Sequence, residues 1–83
     1  MGMHGKGREK DSLGNIYDGW WSNGLYSGLG RQVTQDGHIY YGLWRSGIKN
    51  QKGVHLYPQG HGQYIGQWDR FGNKDGYGVF IYP

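Results

Sequence analysis

Aromatic and apolar residues alternate with polar ones at a period of two along this chain, in short stretches broken by glycine. The clearest stretches are Tyr17-Asp18-Gly19-Trp20-Trp21, Tyr40-Tyr41-Gly42-Leu43-Trp44 and Tyr64-Ile65-Gly66-Gln67-Trp68, all of the form Tyr-x-Gly-x-Trp. Successive side chains of an extended strand point to opposite faces, so Tyr, Gly and Trp share one face and the x residues the other. A glycine-rich bend follows each phrase and predicts a partner strand beyond it, over residues 29–34, 54–57 and 79–82. Asp36-Gly37 reads as a two-residue hairpin turn of the kind that needs positive φ. No stretch carries a glycine-free 3.6-residue apolar rhythm, so no helix is expected. The fold class predicted is all-β: a single-layer twisted meander of consecutive antiparallel β-hairpins, with about seven short strands.

The phrases recur at a fixed period. Trp21, Trp44 and Trp68 are 23 and 24 residues apart, a spacing typical of stacked supersecondary repeats. Gly24 and Gly47 follow their tryptophans by three residues and Gly72 follows by four, so the third copy carries a one-residue insertion. The expected organisation is one domain over residues 1–83: a half-repeat at 4–16, repeats at 17–39 and 40–63, and a truncated repeat at 64–83.

The two faces of such a sheet differ. On one, Tyr17, Trp21, Tyr40, Trp44, Tyr64 and Trp68 form an aromatic ladder, with glycines leaving slots in which the rings lie flat. The other face carries Trp20, Tyr41, Leu43 and Ile65 from the first strands. Val33, Val54, Leu56, Val79 and Ile81 join them from the second. A single layer with two apolar faces has to cover one of them. The chain supplies no helix to do so, which makes Trp20, Tyr41, Leu43, Ile65, Val79 and Ile81 the candidate interaction face. Residues 79–82 are β-branched or aromatic and uncharged, and are the expected site of self-association.

The phrase Tyr-x-Gly-x-Trp-x-x-Gly, then Gly-x-Gly, then a Tyr-Pro-x-Gly tail, resembles the MORN (membrane occupation and recognition nexus) repeat. Residues 17–39 match nearly every position. Residues 40–63 match with Gln51 in place of the first Gly of the pair, and residues 64–83 match with Phe71 displacing a Gly. The resemblance implies an elongated single-layer sheet of hairpins with a binding or scaffolding role, often within a larger protein. It further implies anionic lipid association, homodimerisation or the gripping of partner peptides in an aromatic groove, and no catalytic residue common to the family. A weaker likeness to the choline-binding repeats of bacterial surface proteins would place Trp20, Trp21 and Tyr41 in a cation–π cage.

Composition narrows the chemistry. Eighteen glycines among 83 residues show no collagen period, and eight Tyr, four Trp and two Phe are too many for a linker. Without cysteine there is neither disulfide nor thiolate metal site, and the compartment stays open. No apolar run has signal-peptide or membrane-spanning character, so a soluble chain is expected, cytoplasmic in preference to secreted. His4, His38, His55 and His61 lack metal-ligand spacing. His38 and His61 are the pair expected to be neighbours across adjacent repeats. No nucleophile elbow or phosphate-binding loop is present, so the chain is expected to be non-enzymatic and to need neither cofactor nor metal.

The formal charge is +3. Lys6, Arg8 and Lys10 alternate on one strand, and Lys49, Lys52, Arg70 and Lys74 are expected in the bends. Together they are the candidate lipid-binding set, at the lower end of the roughly four to eight basic residues that electrostatic lipid recognition uses. Nucleic-acid binding is not expected, because the aromatics are committed to packing. The functional expectation is a protein-interaction or assembly module, binding a partner or a second copy. The alternatives are a peripheral anionic-phospholipid module, or a regulatory or substrate-presenting part of a larger enzyme.

Overall fold

A computed structural model describes residues 4–69 and 71–83. Seven strands follow one another: β1 Gly5–Lys10, β2 Ile16–Ser22, β3 Leu25–Val33, β4 Ile39–Arg45, β5 Ile48–Leu56, β6 Gln63–Trp68 and β7 Lys74–Ile81. They form one antiparallel sheet in sequence order. The described residues contain no α-helix and one 3-10 turn at Pro58–Gly60. The all-β meander of hairpins is the observed fold.

The partner strands begin earlier than the sequence suggested. β3, β5 and β7 start at Leu25, Ile48 and Lys74. The glycines after Trp21 and Trp44 therefore make tight turns, and the Gly-x-Gly pair lies inside a continuing strand. Asn23-Gly24 (φ 51° and 83°) and Ser46-Gly47 (φ 50° and 82°) are the two-residue hairpin turns. The Asp36-Gly37 connection is instead a longer loop. Thr34 N–H donates to the His38 carbonyl at 2.8 Å, and Gly37 (φ 96°) takes the left-handed position. The insertion in the third repeat closes as an Asx turn, with Asp69 Oδ1 accepting from the Phe71 and Asn73 amides at 2.8 and 3.0 Å.

Register explains the glycines. Gly7 pairs with Gly19, Gly19 with Gly30, Gly30 with Gly42, Gly42 with Gly53, Gly53 with Gly66 and Gly66 with Gly78. One glycine from every strand thus forms an unbroken row across the whole sheet. Tyr17, Tyr40 and Tyr64 lay their rings over this row: a Cβ at Gly30, Gly53 or Gly78 would fall within the ring of each in turn. Just beyond the row the register shifts in β2–β3, β4–β5 and β6–β7. That bulge puts Gly28, Gln51 and Gly76 at φ 82°, 62° and 66°.

The only buried hydrophobic side chains among the described residues are Tyr17, Trp21, Tyr40, Trp44 and Trp68, all on the face the Tyr-x-Gly-x-Trp parity indicates. Tyr64 is partly buried against them. Tyr17 stacks on Tyr26 (3.7 Å, 3°), and the indoles of Trp21 and Trp44 meet that pair edge-on at 5.0–5.6 Å. Such edge-to-face contacts are worth about 0.5–1.5 kcal/mol each beyond buried area. The indole N–H groups of Trp21 and Trp44 donate to the carbonyls of Gly7 and Gly30 at 3.1 and 3.2 Å. Rings and backbone are thereby fastened to the same row.

Candidate functional site

The face opposite the aromatic ladder is not covered. Its geometry follows from the glycine row, because each glycine is flanked along its strand by two side chains that point to this face. On one side of the row the cross-strand order is Arg8, Asp18, Arg31, Tyr41, Val54, Ile65 and Val79. On the other side stand Lys6 and Trp20, then Leu29 and Leu43, then Lys52 and Gln67. The Cβ positions of the row point to the ring face, so on this face the row presents bare backbone as the floor between two rows of side chains.

Two adjoining hollows occupy that groove. The larger, about 530 Å³, is walled by Leu29, Tyr41, Leu43, Val54, Ile65 and Tyr77 over Gly42, Gly53 and Gly66. The smaller, about 330 Å³, shares Leu29 and Tyr41 and continues over Gly19 and Gly30 to Lys6, Asp18, Trp20 and Arg31. The larger is mostly apolar apart from Lys52 and Gln67, and the smaller adds Lys6, Asp18 and Arg31 to its aromatic walls. Trp20 and Tyr41 remain 49% and 51% exposed, a large aromatic area for a chain of this size.

The candidate interaction residues are therefore placed together in part. Tyr41, Leu43 and Ile65 line the large hollow, Trp20 lines the small one, and Val79 pairs with Ile65 at the edge of the groove. Ile81 lies apart, opposite Gln63 and beside a separate hollow under Pro58. Sequence reading missed Leu29, Arg31 and Tyr77. The glycine spacing held the signal for Leu29 and Arg31, since they flank Gly30, but only once Gly30 is known to face Gly19 and Gly42.

The candidate lipid-binding residues do not share one surface. Lys6, Arg8 and Lys10 of β1 face the groove side, opposite Trp20, Asp18 and Ile16, and Lys52 stands in the groove wall opposite Gln67. Lys49 and Lys74 are in strands rather than bends, on the opposite face. Lys49 Nζ sits 4.9 Å from the ring centres of both Tyr40 and Trp68. Lys74 Nζ sits 4.7 Å from that of Tyr64 and donates to Tyr57 Oη at 2.8 Å. Burial, helped by the charge of Lys74, lowers the Lys49 ammonium below the usual lysine range. Arg70 lies outside the described residues.

The histidine expected to neighbour His38 was His61; the structure brings His55 there instead. His38 Nδ1 and His55 Nε2 are 2.8 Å apart, sharing one hydrogen bond, while the His61 amide closes the 3-10 turn on Pro58. His55 stacks on Tyr57 (4.3 Å, 13°). Burial, then the positive charge of Lys49, then His38 and Lys74, holds its pKa down to about 4. Burial also pushes the Tyr17 and Tyr40 hydroxyls up to about 12, so both stay protonated. Among the described residues no group of three or more His, Cys, Asp or Glu could hold a metal ion. No helix of the described residues is long and apolar enough to cross a membrane.

The array thus repeats one ring-packed face and one open face from hairpin to hairpin, as stacked repeat units do. The family model for the MORN repeat matches residues 17–39, 40–62 and 64–83, and the chain belongs to that family. Comparison with curated proteins returns no match.

Proposed function

We propose that the protein is a non-catalytic interaction module, and that it binds a partner segment, or a second copy of itself, in the glycine-floored groove. The observation that carries this reading is the groove itself: a shallow, mostly apolar hollow of about 530 Å³ on the uncovered face of a single-layer sheet. Interfaces concentrate aromatic side chains in hollows that exclude water on binding. Trp20, Tyr41 and Tyr77 stand ready for that role. Selection of a random 16-residue peptide library on immobilised protein tests the heterotypic form, and sedimentation velocity over a concentration series tests the homotypic one. Peptides retained by the native chain and lost on Leu43→Asp support it. A monomer at all concentrations that enriches no peptide over Leu43→Asp contradicts both forms.

A second reading has its own support. Lys6, Arg8 and Lys10 project from the same face as Trp20, and a basic strand beside an exposed indole suits an anionic membrane surface. Co-sedimentation with phosphatidylserine vesicles that falls with salt would favour it; equal binding to neutral vesicles, or none, would remove it.

A further inference from the structure

The charges of this chain are sorted by face, and the sorting specifies what the groove accepts. The carboxylates of Asp11 and Asp69 are engaged by amides of their own turns, and that of Asp36 by the Thr34 hydroxyl at 2.6 Å. Of the other three, Glu9 stands opposite Tyr17 on the ring face, and the register puts Asp18 and Asp75 on the groove face. Against them the same face carries Lys6, Arg8, Lys10 and Arg31 on β1 and β3, and Lys52 further along. Among the described residues none of these cations closes an ion pair; the one contact of a basic with an acidic side chain is His38 Nε2 with Asp36 Oδ2 at 3.8 Å. Beyond β3 the flanks of the row are mostly apolar, with Tyr41, Leu43, Val54, Ile65 and Val79, and Lys52 and Gln67 are the polar exceptions.

We infer that the groove takes a peptide segment of a partner protein that carries carboxylates at one end and apolar side chains at the other, laid along the glycine row with its acidic end over β1–β3. The inference rests on the groove being the binding surface, as proposed above, and adds the chemistry and direction of the occupant. Seven strands spaced about 4.8 Å apart give the row a length of roughly 29 Å. That length is matched by about nine extended residues or about twenty helical ones. A peptide is the occupant because the lining changes from charged to mostly apolar along the row, which a segment carrying both kinds of side chain in sequence can match end to end. Its side chains can pack between Leu29, Leu43 and Ile65, whereas a bilayer presents the same head groups to both ends. The basic end orients the segment by charge complementarity and speeds its encounter.

The test uses the peptides selected on the native chain, synthesised with a fluorescein label and titrated by anisotropy. The expected result is enrichment of Asp and Glu at one end of the selected sequences and of apolar residues at the other. Affinity should then fall at least tenfold on Arg8→Glu/Arg31→Glu and return on that variant when the peptide's acids are changed to lysine. Arg8→Gln/Arg31→Gln, with the folded state of each variant confirmed by near-ultraviolet circular dichroism, should give an intermediate loss. Selected peptides without acidic bias, or affinity unchanged by the charge reversal, overturn the inference while a loss on Leu43→Asp leaves the groove reading standing. No peptide dependent on Leu43 overturns both. Binding to phosphatidylserine vesicles that Arg8→Glu/Arg31→Glu abolishes, with no peptide enriched, overturns the inference and assigns the face to membranes.

Discussion

Lys49 occupies in the second repeat the place that Tyr26 occupies in the first. Tyr26 pairs with Trp21 and stacks on Tyr17, and Lys49 pairs with Trp44 and holds its ammonium over Tyr40 and Trp68. Lys74 repeats the arrangement opposite Trp68. One position of the repeat thus closes the tyrosine ring with either a second ring or a cation.

Two outcomes follow at that position. Lys49→Tyr replaces a partly desolvated ammonium with a stacked ring and should stabilise the fold by about 1 kcal/mol. Lys49→Ala removes both the cation–π contact and the packed alkyl stem and should cost about 1–2 kcal/mol. Urea unfolding followed by tryptophan fluorescence measures both.

Gly53→Ala should be among the most damaging single changes in the chain, at about 2 kcal/mol or more, because the added methyl falls within the Tyr40 ring. The penalty should shrink sharply in a Tyr40→Ala background. A double-mutant cycle by urea unfolding isolates that coupling, and additive costs would mean that the ring is not what excludes the methyl.

Gln51 does what glycine does in the other repeats. It holds φ 62° at the bulge where Gly28 and Gly76 stand. A left-handed conformation costs an ordinary residue roughly 1–2 kcal/mol, and glycine's looser unfolded state returns part of that. Gln51→Gly should therefore raise stability by about 0.5–1 kcal/mol, seen as a higher thermal midpoint.

His55 sets a pH response. Its folded pKa of about 4 lies below the ordinary histidine value of 6.5. Between those values the unfolded chain binds a proton that the folded chain refuses. Stability from this group is therefore full above about pH 6.5, lost as pH falls towards 4, and level below it. The groups surrounding His55 reinforce the sign: Lys49, then His38 and Lys74, act electrostatically against a positive charge on it, and Asp36 reaches His38 alone. His55→Gln should flatten the decline between pH 6.5 and 4 in thermal melts, and an unchanged slope would place the titration elsewhere.

Much of this fold is legible in the sequence because Tyr, Gly and Trp occupy alternate positions and recur with a period. Alternation assigns each of Tyr17, Tyr40 and Tyr64 to a face without any knowledge of neighbours. Register is not local in that way. Asn23-Gly24 does carry the Asn-Gly signature of a two-residue turn, but nothing local says that Gly30 sits mid-strand and does not break it. The starts of β3, β5 and β7 were placed late for that reason. The same ignorance of register put Lys49 and Lys74 in bends. It also paired His38 with His61 in place of His55, which only the β4–β5 ladder brings alongside. The groove was half visible: Tyr41, Leu43 and Ile65 follow from parity, whereas Leu29 and Arg31 become walls only when the glycines line up across strands.

The central claim is that ligand lies along the glycine row on the open face. Backbone amide shifts of a ¹⁵N-labelled sample, titrated with a peptide selected on the native chain, test it most directly, since glycine amides resolve well from the rest. The largest changes are predicted at Gly30, Gly42, Gly53 and Gly66 and at Leu43 and Ile65, with the indole N–H signals of Trp21 and Trp44 nearly still. Changes concentrated on those two indoles, with the glycine row unmoved, would place the ligand on the ring-packed face and contradict the account.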